Sequence, residues 1–287
     1  MLDERLIALI TEEVIKQLTA SGRVVLPDRA PSYGQEPPSA PAGTVGTDRL
    51  LEDPLDPEAL ERMKKRTTAR IGVGKAGARL KTQTMLALRA DHARAQDSVF
   101  ADVDPAFIER LGLLTIESQA GDRNTHITRP DLGRKICPKG VEALRQHCRM
   151  SPDVQIYASD GLSSAAIEAN LEKILPVLTE GLQAKGLTVG TPFYMRFGRV
   201  AAEDQVAEVL GAKVVCVLIG ERPGLATAES MSAYIVYNSY VGIPEAKRTV
   251  VSNIHKDGLT AVEAGAYITE VIQQILERKA SGVDLVK

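Results

Sequence analysis

Six consecutive apolar residues, Val214 to Ile219, run up to Gly220. A strand with one face in water would alternate apolar with polar, so this run predicts a strand buried on both faces. Glu221, Arg222, Pro223 and Gly224 follow at once. In an open α/β sheet, ligands sit beyond the carboxyl ends of the strands, so Glu221 and Arg222 stand at an expected binding edge. An ordinary surface turn is the competing reading of the same residues. From about residue 107 onward the pattern alternates between strand and helix. Strands are expected at Leu113 to Glu117, Arg123 to Thr128, Asp153 to Ser159, within Gly190 to Phe197, and at Thr249 to Ile254. Helices are expected at Gly140 to Cys148, Ala165 to Ala184, Ala202 to Leu210 and Thr260 to Lys279. Residues 230–237 fit helix and strand equally. Such alternation predicts a sheet with much parallel character and helices on both faces.

The first hundred residues read differently. Leu2, Leu6, Ile7, Ile10, Val14, Ile15 and Leu18 recur at helical spacing, with charged residues on the other face. Residues 1–20 therefore predict a short amphipathic helix. Residues 21–46, rich in Pro, Gly, Ser and Ala, predict a flexible linker. A tethered helix needs a surface for its apolar stripe, so docking on a partner is one reading; a frayed terminus is the other. Residues 47–106 predict a small helical domain, with helices starting near Pro57 and spanning Thr82 to Gln96. Between these lies Gly72-Val73-Gly74-Lys75-Ala76-Gly77, a literal G-x-G-x-x-G. That pattern carries a dinucleotide only between a sheet strand and a helix, with an acid at the next strand end. The run before it is basic, and Asp91 falls inside a predicted helix. A basic loop that meets an anion or a partner is the reading preferred here, with a solvated loop as the alternative. A nicotinamide-dependent oxidoreductase using Gly72, Gly74 and Gly77 stays a rival function.

Composition narrows the field. A chain of 287 residues leaves room for about two domains. The net charge of -2 lacks the concentrated basic face that nucleic-acid binding needs. Cys137, Cys148 and Cys216 are scattered, with no CxxC pair, which fits a reduced, cytoplasmic protein without a zinc site. No apolar run nears the ~20 residues of a membrane span, and the acidic N-terminus does not resemble a signal peptide. The four histidines fall in separate elements, and neither H-E-x-x-H, G-x-S-x-G nor a Walker loop is present. No catalytic residue and no metal ligand is therefore assigned. Ser159-Asp160-Gly161-Leu162-Ser163 reads either as a helix cap or as a ligand-contacting helix start. Arg196-Phe197-Gly198-Arg199-Val200 ends another strand with two cations. Asn253-Ile254-His255-Lys256-Asp257-Gly258 nearly matches the D-x-H-x-x-G pattern of some cobalt-ligating proteins. Asn replaces the carboxylate that would orient the His, so a locally hydrogen-bonded His255 is preferred.

Eight ordered segments carry a resemblance. They are Thr67-Thr68-Ala69-Arg70 with Gly74-Lys75-Ala76-Gly77, Ala90-Asp91-His92, Thr128-Arg129-Pro130-Asp131, Ser159 to Ser163, Gly198-Arg199-Val200, Gly220 to Leu225, Ser252-Asn253-Ile254-His255 and Ala280-Ser281-Gly282. From about residue 47 onward the chain resembles the small (light) subunit of ethanolamine ammonia-lyase. The resemblance implies a Rossmann-like, cobalamin-binding domain at 107–287. It also implies adenosylcobalamin at the interface with a large subunit that holds the substrate. Carried over, the corrinoid contacts fall at Val200, Glu221 and Val250, the last at a position where the family has Cys. The expected reaction is the radical conversion of ethanolamine to acetaldehyde and ammonia. Residues 1–20 resemble tails that load enzymes into bacterial microcompartments, which adds a shell or cargo partner; a non-enzymatic microcompartment adaptor is a further rival.

Overall fold

The computed structural model describes residues 51–67 and 69–285. The helix expected at 1–20 and the linker at 21–46 lie outside the described residues. The described chain divides into two compact units, one of 51–97 with 224–227 and one of 98–223 with 228–285.

In the first unit, α1 (Pro57–Lys64) is capped by Asp56, whose side chain accepts from the Ala59 N–H. Two short strands, β1 (Lys75–Ala76) and β2 (Arg79–Leu80), pair only with each other, antiparallel, ahead of α2 (Thr82–Phe100). Gly72, Gly74 and Gly77 have φ of 70°, 69° and 64°, the left-handed region that favours glycine. Asp91 lies within α2 and pairs with both Arg70 and Arg94. The glycine run thus belongs to a small hairpin, and its nearest acid is already neutralised. Neither condition for a dinucleotide fingerprint is met.

The second unit is mixed α/β, with six strands: β3 (Leu114–Glu117), β4 (Val154–Ser159), β5 (Phe193–Arg196), β6 (Val214–Gly220), β7 (Met231–Tyr237) and β8 (Thr249–Ile254). Their spatial order is β3-β5-β4-β6-β7-β8. The first four in that order are parallel, and β7 runs antiparallel to both β6 and β8. The helices are α3 (Pro105–Arg110), α4 (Arg123–Thr128), α5 (Pro130–Gly133), α6 (Pro138–His147), α7 (Ser164–Ala184), α8 (Ala202–Leu210) and α9 (Ala261–Arg278).

The β6 run is buried along its whole length. Val214, Cys216 and Leu218 pack with Ile167 and Leu171 of α7 and Ile268 and Ile272 of α9. Val215, Val217 and Ile219 pack with Leu144 of α6 and Val206 and Leu210 of α8. Each such aliphatic side chain contributes about 2 kcal/mol on burial, so β6 fixes the middle of the sheet. Burial also pushes the Cys216 thiol well above its usual range, which removes it as a nucleophile.

One expectation is overturned and one open question is resolved. Residues 123–128 form helix α4 and not a strand. Asp122 caps it, accepting from the Thr125 N–H at 3.0 Å and the Thr125 hydroxyl at 2.6 Å. Residues 230–237, undecided in the sequence, supply β7, whose Met231, Ala233 and Ile235 enter the core beneath α7 and α9.

Candidate functional site

The chain reverses direction across the sheet at β4. From β4 it passes through α7 to β5 on one side, then through α8 to β6 on the other. Because α7 and α8 cover opposite faces, the carboxyl ends of β4 and β6 flank a topological switch point, where open α/β sheets usually bind ligands.

Here the chain closes that crevice itself. The Leu162 N–H donates to the Gly220 carbonyl at 3.0 Å. A Cβ on Gly220 would lie 2.2 Å from the Ser163 carbonyl oxygen, and one on Gly161 would lie 2.4 Å from the Gly220 oxygen. Two glycines let these backbones touch, so no space is left for a ligand between them. The Ser159–Ser163 motif is therefore structural. Ser163 caps α7, accepting from the Ala166 N–H at 3.2 Å. Asp160, 1% exposed, accepts from the Phe197 N–H at 2.7 Å and from Arg123 at 2.7 Å. Burial raises the Asp160 carboxyl to about 6, against the pull of Arg123. Asp160 thus anchors the start of the loop that carries Val200.

Both cations of that loop have internal partners. Arg196 meets Glu117 at 2.9 Å and Asp102 at 3.6 Å, and Arg199 donates to the His126 carbonyl at 2.8 Å. His126 is fully buried, with Nε2 at 2.7 Å from the Gly161 carbonyl. Its desolvation, with Arg199 next in effect, lowers its pKa to about 4.

On the α6/α8 face this half of the sheet presents Glu221 at the end of β6, with Tyr234 and Val250 lower on β7 and β8. Alternation along β6 turns Glu221 to that face, where the Tyr234 hydroxyl donates to its Oε1 at 2.9 Å. The Glu221 N–H donates to the Ser230 carbonyl at 3.0 Å, which extends the β6–β7 pairing by one residue. Tyr234 is opposite Val250 in the β7–β8 register, and Val250 is 46% exposed. Val200 packs against the same core as Tyr234, and its carbonyl accepts from the Glu203 N–H at 3.0 Å in the first turn of α8. The carboxyl ends of β5 and β6, which Val200 and Glu221 follow, are two strand spacings apart, about 10 Å.

A buried ion network ties these positions together. Arg248, two residues before Val250, pairs with Glu203 and Asp204 of α8 and with Glu245, the last at 2.9 Å. Burial raises the Glu203 carboxyl while Arg248 beside it pulls the other way. The network fixes the α8 start, and so Val200, against the beginning of β8. Its charges, together with Tyr234, are the site components that sequence reading missed. Arg222 of the same edge motif is exposed.

His255 is committed locally. Its Nδ1 accepts from the Asp257 N–H at 3.2 Å, and Nε2 lies 2.8 Å from the Asn253 side-chain oxygen. Both ring nitrogens are engaged, so the ring has no lone pair to offer a metal. Among the described residues, no cluster of three or more His, Cys, Asp or Glu side chains could hold a metal ion. No described helix is long and apolar enough to cross a membrane.

The family model described as "Ethanolamine ammonia-lyase light chain" matches residues 57–286. The chain is 56% identical over 241 residues to the ethanolamine ammonia-lyase small subunit of Clostridium tetani, covering 84% of this chain and 82% of that protein. It is 50% identical over 236 residues to the small subunit of Clostridioides difficile, covering 82% of this chain and 80% of that one. The Lachnoclostridium phytofermentans small subunit is 42% identical over 294 aligned positions, covering 99% of each.

Proposed function

The chain belongs to the ethanolamine ammonia-lyase light-chain family, and we propose that its sheet edge at Val200, Glu221 and Val250 holds one side of adenosylcobalamin against a large subunit. As a member it is an ammonia-lyase component, a carbon–nitrogen lyase subunit. The substrate residues belong to the large subunit in this reading. Bound adenosylcobalamin would supply the radical chemistry that releases ammonia from ethanolamine and leaves acetaldehyde. This chain's residues bind and orient.

The observation that carries the reading is the Glu221 carboxylate. It is partly exposed, held by Tyr234, and presented on the same face as Val200 and Val250. An ionised carboxylate only accepts hydrogen bonds, which suits the N–H groups of a corrinoid's amide arms. The flanking apolar positions lie on either side of β6: Val200 follows β5, two strands away, and Val250 lies on β8, also two strands away and level with Val217, below Glu221 along the strand. Such a spread suits a large flat ligand better than a small one. A contact at position 250 made by the backbone would need no thiol, and β8, as an edge strand, turns the backbone N–H and C=O groups of alternate residues outward. The three central strands, with crossovers on opposite faces, favour the Rossmann-like description of residues 107–287. The local engagement of both His255 ring nitrogens fits a corrinoid that this histidine would not ligate.

The test is a titration of the complex with the large subunit by cyanocobalamin. Glu221→Ala is expected to weaken binding about tenfold, the worth of a charge-assisted hydrogen bond. Unchanged affinity in a folded complex would overturn the assignment.

Residues 1–20 act, in the same proposal, as the segment that docks the enzyme in a bacterial microcompartment. Deleting them is expected to leave corrinoid affinity and lyase activity intact while the enzyme no longer co-purifies with shells. Retained co-purification, or lost activity, would contradict that role.

A further inference from the structure

We infer that Tyr234 is a positioning residue for the corrinoid side of the reaction: its hydroxyl fixes the Glu221 carboxylate in the one orientation that meets an amide arm. The inference rests on the reading that Glu221 faces the corrinoid. It adds a residue from a different strand, one that carries no recognisable motif.

The geometry is specific. Tyr234 sits between two neighbours in register, Val217 of β6 and Val250 of β8. Its ring packs on the α6/α8-face core, so the hydroxyl is held on a rigid strand and not on a mobile loop. From there it donates to Glu221 Oε1 at 2.9 Å. Desolvation, then the charge and hydrogen bond of Glu221, push the phenol up to about 12, so it keeps its proton and stays a donor near neutrality. Among the described residues, no other side chain hydrogen-bonds to the Glu221 carboxylate. One oxygen is therefore occupied and the other is available to a ligand donor.

A glutamate has three rotatable side-chain torsions, and fixing them at the moment of binding costs affinity. The Tyr234 bond fixes them beforehand. Phenylalanine at this position would keep the ring and its packing and lose only the donor. The carboxylate would then turn freely toward water. The effect should therefore appear in corrinoid affinity and pass through Glu221, not in folding or in turnover at saturation.

The experiment is a double-mutant cycle on the complex with the large subunit, read by calorimetric titration with cyanocobalamin. Tyr234→Phe is expected to raise the Kd about two- to tenfold, the range for immobilising one flexible side chain on binding. The kcat at saturating adenosylcobalamin should stay unchanged while the KM for the cofactor rises. In a Glu221→Ala background, the tyrosine substitution should cost nothing further. Tyr234→Phe binding like the parent, while Glu221→Ala weakens binding, would overturn the positioning role and leave the Glu221 contact standing. Additive losses would also overturn it, because Tyr234 would then act independently of Glu221. Full affinity in both single variants would sink the underlying corrinoid assignment as well.

Discussion

His126, Asp160, Glu203 and Arg248 are ionisable residues buried within the second unit. His126 is the clearest example. In the unfolded chain it takes up a proton near 6.5, and in the folded chain only near about 4. The unfolded state therefore binds more protons between those values. The stability contributed by neutral, buried His126 is complete above pH 6.5 and is lost as the pH falls toward 4. The shift corresponds to about 3 kcal/mol. Denaturant titrations from pH 7 to 4 should find that His126→Gln flattens the acid-side fall in stability by about that amount. An identical pH dependence in the variant would contradict this. At this scale the sequence was legible where a residue sits in a short motif: Glu221 lies in a strand-end segment that stands out from the apolar run before it, while Val200 was named only through the family resemblance. Tyr234 did not stand out. Its partner thirteen residues away is defined by the β6–β7 register, which one sequence does not reveal. Arg248 was hidden for a similar reason. Beside Lys247 it reads as a solvated turn, yet it is 6% exposed between two carboxylates of α8.

Elements answer to their ends as much as to their composition. Arg123 to Thr128 contains three β-favouring side chains, Thr125, Ile127 and Thr128, which is why the segment looks like a strand. The Asp122 cap outweighs that preference. Pro130 then opens the next short helix, for which its fixed φ is well suited. Long elements were legible because their patterns repeat. The boundaries of β8 and α8 match the expected ones, and α9 is one residue shorter at each end because Thr260 is its cap, in a capping box with Glu263. The junction of α8 with β8 depends on the Arg248 network. Removing the cation alone would leave Glu203 and Asp204 buried without compensation, so Arg248→Met is expected to cost about 3–5 kcal/mol. Replacing Glu203 by Gln and Asp204 by Asn in the same chain should restore most of that loss, because a neutral cluster carries no stranded charge. Chemical denaturation of the single and triple variants checks it. A triple variant as unstable as the single one would mean that packing, not charge, is what Arg248 supplies.

For the molecule as a whole, closure of the switch-point crevice decides where a ligand can go. Gly161 and Gly220 bring β4 and β6 loops into backbone contact, so the edge offers a surface and not a slot. A surface that leaves much of a large ligand uncovered calls for a second polypeptide on the opposite side, as the family assignment suggests. The central claim is that this surface is half of a corrinoid cradle. The most direct measurement is a cryo-electron microscopy structure of the chain with its large subunit and cyanocobalamin. The expected result is a corrin amide nitrogen about 3 Å from the free oxygen of Glu221, with the Tyr234 bond intact and Val200 and Val250 against the ring. A corrinoid bound elsewhere, with Glu221 open to water, would contradict the account.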